Sequence, residues 1–227
     1  MKRQPIVAID GPSGAGKSTI SKLLARRLGF AHIDTGAMYR CVALAALRRG
    51  IDAEDEVSLA ELSLALRIEF RPVGDEQQVL LDGEDVSGAI RTPEVSLLTS
   101  RVSSVSEVRE NLVELQRRMG EVGGVVLEGR DIGTVVFPQA QAKFFLTASA
   151  RERGRRRYLE LKGKGLDVDL ETTIAEVEAR DAADSTRQHS PLAQAPDAVL
   201  IDSTGLSIDQ VVARMEAVVV ARRKMQE

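Results

Sequence analysis

The chain has 227 residues, enough to bury a sizeable core as one domain with insertions. Its 31 basic and 34 acidic residues leave a formal net charge of −3, which argues against a nucleic-acid partner. Cys41 is the only cysteine, so no intrachain disulfide forms, and no apolar run approaches the ~18 residues of a membrane span.

Met1-Lys2-Arg3-Gln4 is followed by only four apolar residues before Asp10. That is too short for a signal-peptide core, so the chain reads as cytosolic. Those four, Ile6 to Ile9, are mostly β-branched and read as a buried strand. Gly11-Pro12-Ser13-Gly14-Ala15-Gly16-Lys17-Ser18 comes next and fits the phosphate-loop pattern Gly-x-x-x-x-Gly-Lys-[Ser/Thr]. Beyond it Ile20, Leu23, Leu24 and Leu28 recur at helical spacing until Gly29, a C-terminal cap. Strand, glycine-rich turn and helix start are the context that the pattern requires. Glycines 11, 14 and 16 let the backbone curl its N–H groups around phosphate oxygens, and the helix N-terminus adds partial positive charge. Lys17 reaches the β- and γ-phosphates, and the Ser18 hydroxyl can ligate Mg²⁺. With Thr19, the stretch from Gly11 onward reads as a nucleoside-triphosphate site.

Strand and helix patterns alternate from there, which argues for a parallel sheet. Ala31 to Asp34 reads as a strand, about Ala37 to Arg49 as a helix stopping at Gly50, and Val57, Leu62 and Leu66 as a weaker helix. From 67 to 86 the period changes to alternation around the turn Pro72-Val73-Gly74-Asp75, the signature of an inserted antiparallel hairpin or meander. Thr92-Pro93 predicts a helix start, and Ser104 with Glu107 predicts a second, with a capping box. Val108, Leu112, Leu115 and Met119 form its apolar stripe, and Gly123-Gly124 ends it. Val125 to Leu127 and Lys143 to Leu146 read as strands. Ser149 with Glu152 caps an arginine-rich helix broken at Gly163-Lys164-Gly165, and a further helix runs from about Leu170 to Ala183. Val199 to Asp202 reads as the last strand, and Ser207 with Gln210 caps the closing helix.

Arginine is concentrated where phosphate could be clamped. Arg151, Arg153, Arg155, Arg156 and Arg157 fall within seven residues, a pattern that suits either a solvated face or a lid over a triphosphate. Arg180, Asp184 and Arg187 share a face if their helix continues through Thr186, as an intrahelical salt bridge or as a ribose- and phosphate-facing edge. Glu128-Gly129-Arg130-Asp131-Ile132-Gly133-Thr134 follows a strand directly, where open α/β sheets bind ligands. Asp34-Thr35-Gly36-Ala37-Met38-Tyr39-Arg40 follows another.

These blocks, with Gly83-Glu-Asp-Val-Ser87, Ile90-Arg-Thr92, Gly129 through Pro138 and Asp202-Ser-Thr, resemble the bacterial cytidylate kinases over residues 5 to about 220. The resemblance implies a single α/β P-loop NTPase domain over 1–227: a three-layer core with a parallel sheet, a monophosphate-binding β-meander inserted at about 67–90 and a helical lid at about 150–168. It implies ATP-dependent phosphorylation of CMP and dCMP by a cytoplasmic monomer, with ATP and Mg²⁺ as donor and cofactor. By position, Thr35, Arg40, Arg130 and Arg187 resemble the residues holding the acceptor's α-phosphate, and Lys17, Arg40, Arg130 and Arg187 the catalytic set. Ser100, Arg109 and Asp131 match contacts to cytosine, Arg180 and Asp184 positions near the pentose, and Arg153, Arg156 and Arg157 the lid. Thr35 stands where serine is common in the family, and Glu128 where aspartate is. His32 and His189 receive no role. The alternatives are a P-loop kinase for UMP, AMP or a non-nucleotide alcohol, and a nucleotide-sensing module without turnover.

Overall fold

The computed structural model describes residues 4–74, 76–187 and 190–224, so the N-terminal Met1-Lys2-Arg3, Asp75 of the predicted turn, and His189 lie outside the described residues. In chain order the elements are β1 (Ile6–Asp10), α1 (Lys17–Leu28), β2 (Ala31–Asp34), α2 (Thr35–Arg49), α3 (Glu56–Ala65), β3 (Ile68–Val73), β4 (Glu76–Leu81) and β5 (Glu84–Asp85). They continue with α4 (Pro93–Val102), α5 (Ser106–Gly120), β6 (Val125–Gly129), β7 (Ala142–Thr147), α6 (Ala150–Gly163), α7 (Leu170–Thr186), β8 (Val199–Asp202) and α8 (Ile208–Lys224). A short 3₁₀ turn covers Ala89–Arg91, and a wide π-type turn covers Ile132–Val136. The chain divides into two compact units, residues 1–32 with 120–227, and residues 33–119.

The first unit is α/β. Its five-stranded sheet has the order β2, β6, β1, β7, β8, with β1 parallel to both β6 and β7, and β7 parallel to β8. β2 starts in this unit and ends in the other. Every residue of β1 and of β6 is buried, which explains why both read as continuous apolar runs rather than alternating ones. Val7, Ile9, Val126, Phe144 and Leu146 of the sheet pack with Leu24 of α1 and Val212 and Met215 of α8. The register sets Asp10 level with Gly129 on one side and with Phe145 on the other. The residues after these strands therefore leave the sheet at one edge, its carboxyl end.

In the second unit β3, β4 and β5 form an antiparallel meander, with Ile68 opposite Leu81 and Leu80 opposite Asp85. Asp34, Asp55 and Thr92 cap α2, α3 and α4 by accepting from the N–H of Ala37, Ser58 and Val95, as residues of these types do. α2 ends at Gly50, which is left-handed at φ 65°.

Three local expectations need correction. The helix predicted from Ser104 opens instead at Ser106, because the Ser104 hydroxyl donates to the Arg101 carbonyl (2.6 Å) and closes the preceding turn. It ends at Gly120, ahead of the predicted Gly123-Gly124 stop. The box at Ser149 is half made: Ser149 Oγ accepts from Glu152 N, but the Glu152 carboxylate turns to Arg155 and Arg156. The Ser207–Gln210 box forms in both directions, at 2.9 and 3.2 Å.

α6 and α7 pack closely on each other. A β-carbon on Gly154 would lie 2.4 Å from Ile174 Cγ1 and 2.8 Å from Ile174 Cα, so nothing larger than hydrogen fits. Gly154→Val is expected to destabilise the protein by about 1–3 kcal/mol through overpacking. Thermal unfolding followed by circular dichroism would show it as a melting point several degrees lower.

Candidate active site

The turn between β1 and α1 is shaped by its glycines. Gly11 adopts φ 151° and a β-carbon there would sit 2.0 Å from the Leu146 carbonyl oxygen, while one on Gly14, at φ 74°, would lie 3.0 Å from the Arg153 Cβ and carbonyl oxygen. α1 starts at Lys17 behind a left-handed Gly16, with no side chain capping its first amides. Amides presented this way suit an anion. Lys17 is buried, and its Nζ donates to the carbonyls of Gly11 and Pro12, both at 2.7 Å. Burial, aided by the Arg130 guanidinium, pushes its amine well below the ordinary lysine value, against the opposing pull of Glu128 and Asp10. Ser18 and Thr19 are exposed.

Two buried carboxylates support this loop. Asp10 accepts from the N–H groups of Ile132 (2.8 Å) and Gly133 (2.7 Å). Burial pushes its carboxyl up to about 7, against the pull of those two amides. Glu128, on β6, accepts from Ser18 Oγ through Oε2 (2.8 Å) and from Ser21 Oγ through Oε1 (3.0 Å). His32 Nε2 lies 3.0 Å from the same Oε1. Burial alone would raise the Glu128 carboxyl, but the His32 bond, the charge of Lys17 and the Ser18 bond hold it below its usual range.

α7 continues through Thr186, past the predicted end at Ala183, and carries Arg180, Asp184 and the terminal Arg187. Arg130 Nε donates to Asp184 Oδ2 at 2.8 Å, and Arg187 Nη1 lies 3.8 Å from Asp184 Oδ1. Burial pushes Asp184 up, but the charges of Arg130, Arg180 and Arg187 and the Arg130 bond keep its carboxyl below the usual value. Residues spread from 130 to 187 thus meet at one carboxylate.

The arginine-rich helix divides. Arg153 is buried and donates to the Ser13 carbonyl (3.0 Å) and to Asp181, whose carboxylate also accepts from Ser13 N (3.1 Å). Arg156 donates to the carbonyls of Ala15 (3.3 Å) and Ser203 (3.0 Å). Arg157 pairs with Glu160, and Arg155 with Glu152. One side of α6 therefore grips the phosphate loop, and its other arginines form a solvated face.

Thr35, Arg40, Ser100 and Arg109 belong to the second unit. Thr35 is buried at the start of α2. Arg40 donates to Ser96 Oγ (2.6 Å) and the Ile90 carbonyl (3.4 Å). Arg109 is buried with its guanidinium 5.6 Å from the Tyr39 ring centroid and bonds the Ser103 carbonyl. Ser100 is exposed on α4.

A family profile described as cytidylate kinase matches residues 7–221. A protein named cytidylate kinase from Syntrophotalea carbinolica is 65% identical over 225 residues, covering 99% of this chain and 96% of that one. The chain belongs to the cytidylate kinase family. A second protein of that name, from Geobacter sulfurreducens, is 60% identical over 98% of this chain and 96% of its own length. A solved structure of an uncharacterized protein from Eubacterium ventriosum superposes with a TM-score of 0.50 at 12% identity, covering 95% of this chain and 98% of that one, a likeness of fold alone.

For this member of the cytidylate kinase family, sequence patterns miss three groups that the structure joins to the site: Asp10, Asp181 and His32. Asp10 carries a local signal, an acid closing an otherwise apolar strand. Asp181 and His32 carry none, since their partners Ser13 and Glu128 are 168 and 96 residues away.

Asp10 generates a pH prediction. Between its ordinary value of 3.8 and about 7 the folded state holds a proton that the unfolded chain has lost, so stability falls as pH rises through that window. Asp10→Asn has no such proton. Urea unfolding at several pH values from about 5 to 8 should show the stability gap between wild type and variant narrowing as pH rises. A gap that widens would contradict the assignment.

Proposed function

We propose that the chain transfers the γ-phosphoryl group of ATP to CMP, and to dCMP, within pyrimidine nucleotide metabolism. The observation that carries this reading is the pairing, at one sheet edge, of an amide-lined loop with a separate guanidinium cluster at Arg130, Asp184 and Arg187. A single nucleotide does not need both. An oxygen of the CMP α-phosphate attacks the γ-phosphorus of ATP, the bond from that phosphorus to the β-bridging oxygen breaks, and ADP leaves. The attacking oxygen is already anionic, so no general base is required, and catalysis reduces to alignment and charge neutralisation.

The loop amides from Gly11 to Thr19 hold the donor phosphates, and Lys17 turns from the Gly11 and Pro12 carbonyls to the β- and γ-oxygens. Arriving anionic phosphate favours its charged form, offsetting what burial and Arg130 take away. The Ser18 hydroxyl and Glu128 carboxylate are hard oxygen donors and fit Mg²⁺, an ion that takes one or two protein oxygens and otherwise keeps waters and phosphates. Mg²⁺ held there would supply positive charge to neutralise the charge developing on the transferred phosphoryl group. Arg153, Arg156 and Arg157 are assigned to the lid, with Arg153 and Arg156 acting through the loop carbonyls they hold. Arg130 and Arg187 hold the acceptor phosphate; Arg180 and Asp184 serve the pentose. Ser100, Arg109 and Asp131 read the base. Cytosine presents an exocyclic amino donor, which a carboxylate accepts, where uracil presents an oxygen. A site built on such polar contacts rejects the analogue that leaves them unpaired. We further propose that the protein works as a cytoplasmic monomer; no helix among the described residues is long and apolar enough to cross a membrane.

An ADP-release assay with CMP, dCMP, UMP and AMP tests the reading. CMP and dCMP should lead UMP and AMP by at least about a hundredfold in kcat/KM. Equal rates with UMP would remove the base-reading assignment, and ATP binding without acceptor-dependent turnover would make the protein a sensor. Arg130→Ala should lower kcat/KM for CMP by about 10²–10³-fold, the scale of losing one preorganised charge-stabilising group. ATP affinity, measured by calorimetry, should change far less.

A further inference from the structure

Glu128 is a buried carboxylate on which several donors converge. Ser18 Oγ donates to Oε2 at 2.8 Å, while Ser21 Oγ and His32 Nε2 both approach Oε1 at 3.0 Å. His32 Nε2 also lies 3.0 Å from Ser21 Oγ; because an ionised carboxylate only accepts, we assign the tautomer with the hydrogen on Nε2, donated to Oε1. The two carboxylate oxygens are thereby divided, Oε1 toward His32 and Ser21, Oε2 toward Ser18. The Ser18 hydroxyl hydrogen is committed to Oε2, and the oxygen's lone pairs are directed away from Glu128.

This division needs enforcing. A glutamate carboxylate turns about a terminal torsion with a broad, nearly two-fold energy profile, and its stem is one methylene longer and freer than that of aspartate. Ser21 restrains it only in part, because the same hydroxyl lies 2.7 Å from the Lys17 carbonyl and can bond there instead. The His32 ring is fixed by the strand that carries it: β2 buries Ile33 and sets His32, one residue earlier, on the opposite side. The side chain of His32 is 11% exposed, so its bond to Glu128 is largely shielded from competing water.

We propose that His32 is a positioning residue, which locks the Glu128 carboxylate so that Ser18 presents its hydroxyl oxygen to the divalent cation accompanying the triphosphate. The proposal rests on the loop being a Mg²⁺·ATP site. It assigns to a residue from β2 a share of the cation dependence, though that residue touches neither nucleotide nor metal. Outer partners of this kind are typically worth 10- to 100-fold in metal affinity.

The test compares His32→Leu, which keeps bulk without a donor, with His32→Gln, whose amide N–H reaches as far as the ring Nε2–H. ATP affinity is measured by calorimetry across a Mg²⁺ titration and in EDTA, and steady-state constants are measured for CMP. His32→Leu should raise the Mg²⁺ concentration that half-restores ATP affinity by 10- to 100-fold. Its ATP affinity in EDTA and its KM for CMP should stay within about twofold of wild type, and His32→Gln should return the Mg²⁺ midpoint to within about threefold. A purely structural role would instead lower the melting point and weaken both nucleotides alike. A wild-type Mg²⁺ midpoint in His32→Leu, or a Gln variant as impaired as Leu, overturns the proposal. If wild type itself binds ATP without regard to Mg²⁺, the underlying site reading falls and the proposal with it. Should His32→Leu fail to fold, His32→Gln against the shorter His32→Asn carries the same contrast, and equal midpoints there overturn it.

Discussion

Asp10 is the last residue of β1, the neighbour of Gly11, and the acceptor for the amides of Ile132 and Gly133. Through that carboxylate the phosphate loop and the turn bearing Arg130 and Asp131 are hung from one point at the sheet's carboxyl edge. The strands alone would not arrange this. Parallel pairing sets Asp10 level with Gly129, but the chain beyond Gly129 could leave in many directions. Two amide bonds to a buried acid select one, and the wide turn over Ile132–Val136 is the backbone path compatible with them. Gly133 suits that path, since a β-carbon there would crowd Asp10 Oδ2 at 3.3 Å and Lys143 Cδ at 3.2 Å.

Charge is distributed around this point in alternation. Lys17, Arg130 and Arg180 stand near enough to disturb one another, and Asp10, Glu128 and Asp184 are interleaved with them. Buried charge is costly unless paired and hydrogen-bonded, and here every carboxylate of the group is held by amide, hydroxyl or guanidinium donors. Lys17 still sits well below its ordinary value, first because it is buried and then because Arg130 and Arg180 oppose the pull of Glu128 and Asp10. Anionic phosphate beside Lys17 would favour its charged form and so offset that cost. Affinity for nucleotides then comes from completing the electrostatics of the fold as much as from new contacts.

Legibility in the sequence follows the range of each interaction. The buried strands, the phosphate loop, the caps at Thr92 and Ser207 and the stops at Gly29 and Gly50 depend on neighbours within about four residues, and pattern alone locates them. The meander was equally readable because alternation over 67–86 is a local property. The start of α5 was not, since Ser104 had two chemically reasonable partners and the choice of the Arg101 carbonyl depends on how the preceding turn is packed. Arg153 and Arg157 share a helix face by spacing, yet one grips Ser13 and the other pairs with Glu160. Which arginine faces the loop is decided by where α7 lies, information held more than twenty residues away in Asp181 and Ile174. His32 lies further still from any local signal: a histidine in a short strand has no pattern until Glu128 is placed beside it.

The geometry of the arginines bears on why positioning suffices for this chemistry. Arg130 is tethered through Nε to Asp184, and Arg187 through Nε to the Ser190 carbonyl at 2.6 Å. In both, the anchoring bond uses the inner edge of the guanidinium, so the planar fork is oriented before a phosphate arrives. A lysine in either place would offer a point charge on a flexible stem, without the rigid planar fork that a single anchoring bond can orient. Orientation set in advance matters most for a loose phosphoryl transition state, whose charge is spread over oxygens that move little during reaction. Donors already aimed at those oxygens lower the barrier without reorganising. On the proposed assignment Asp184 belongs to the acceptor site as much as the arginines it holds, although its own charge has the same sign as the substrate.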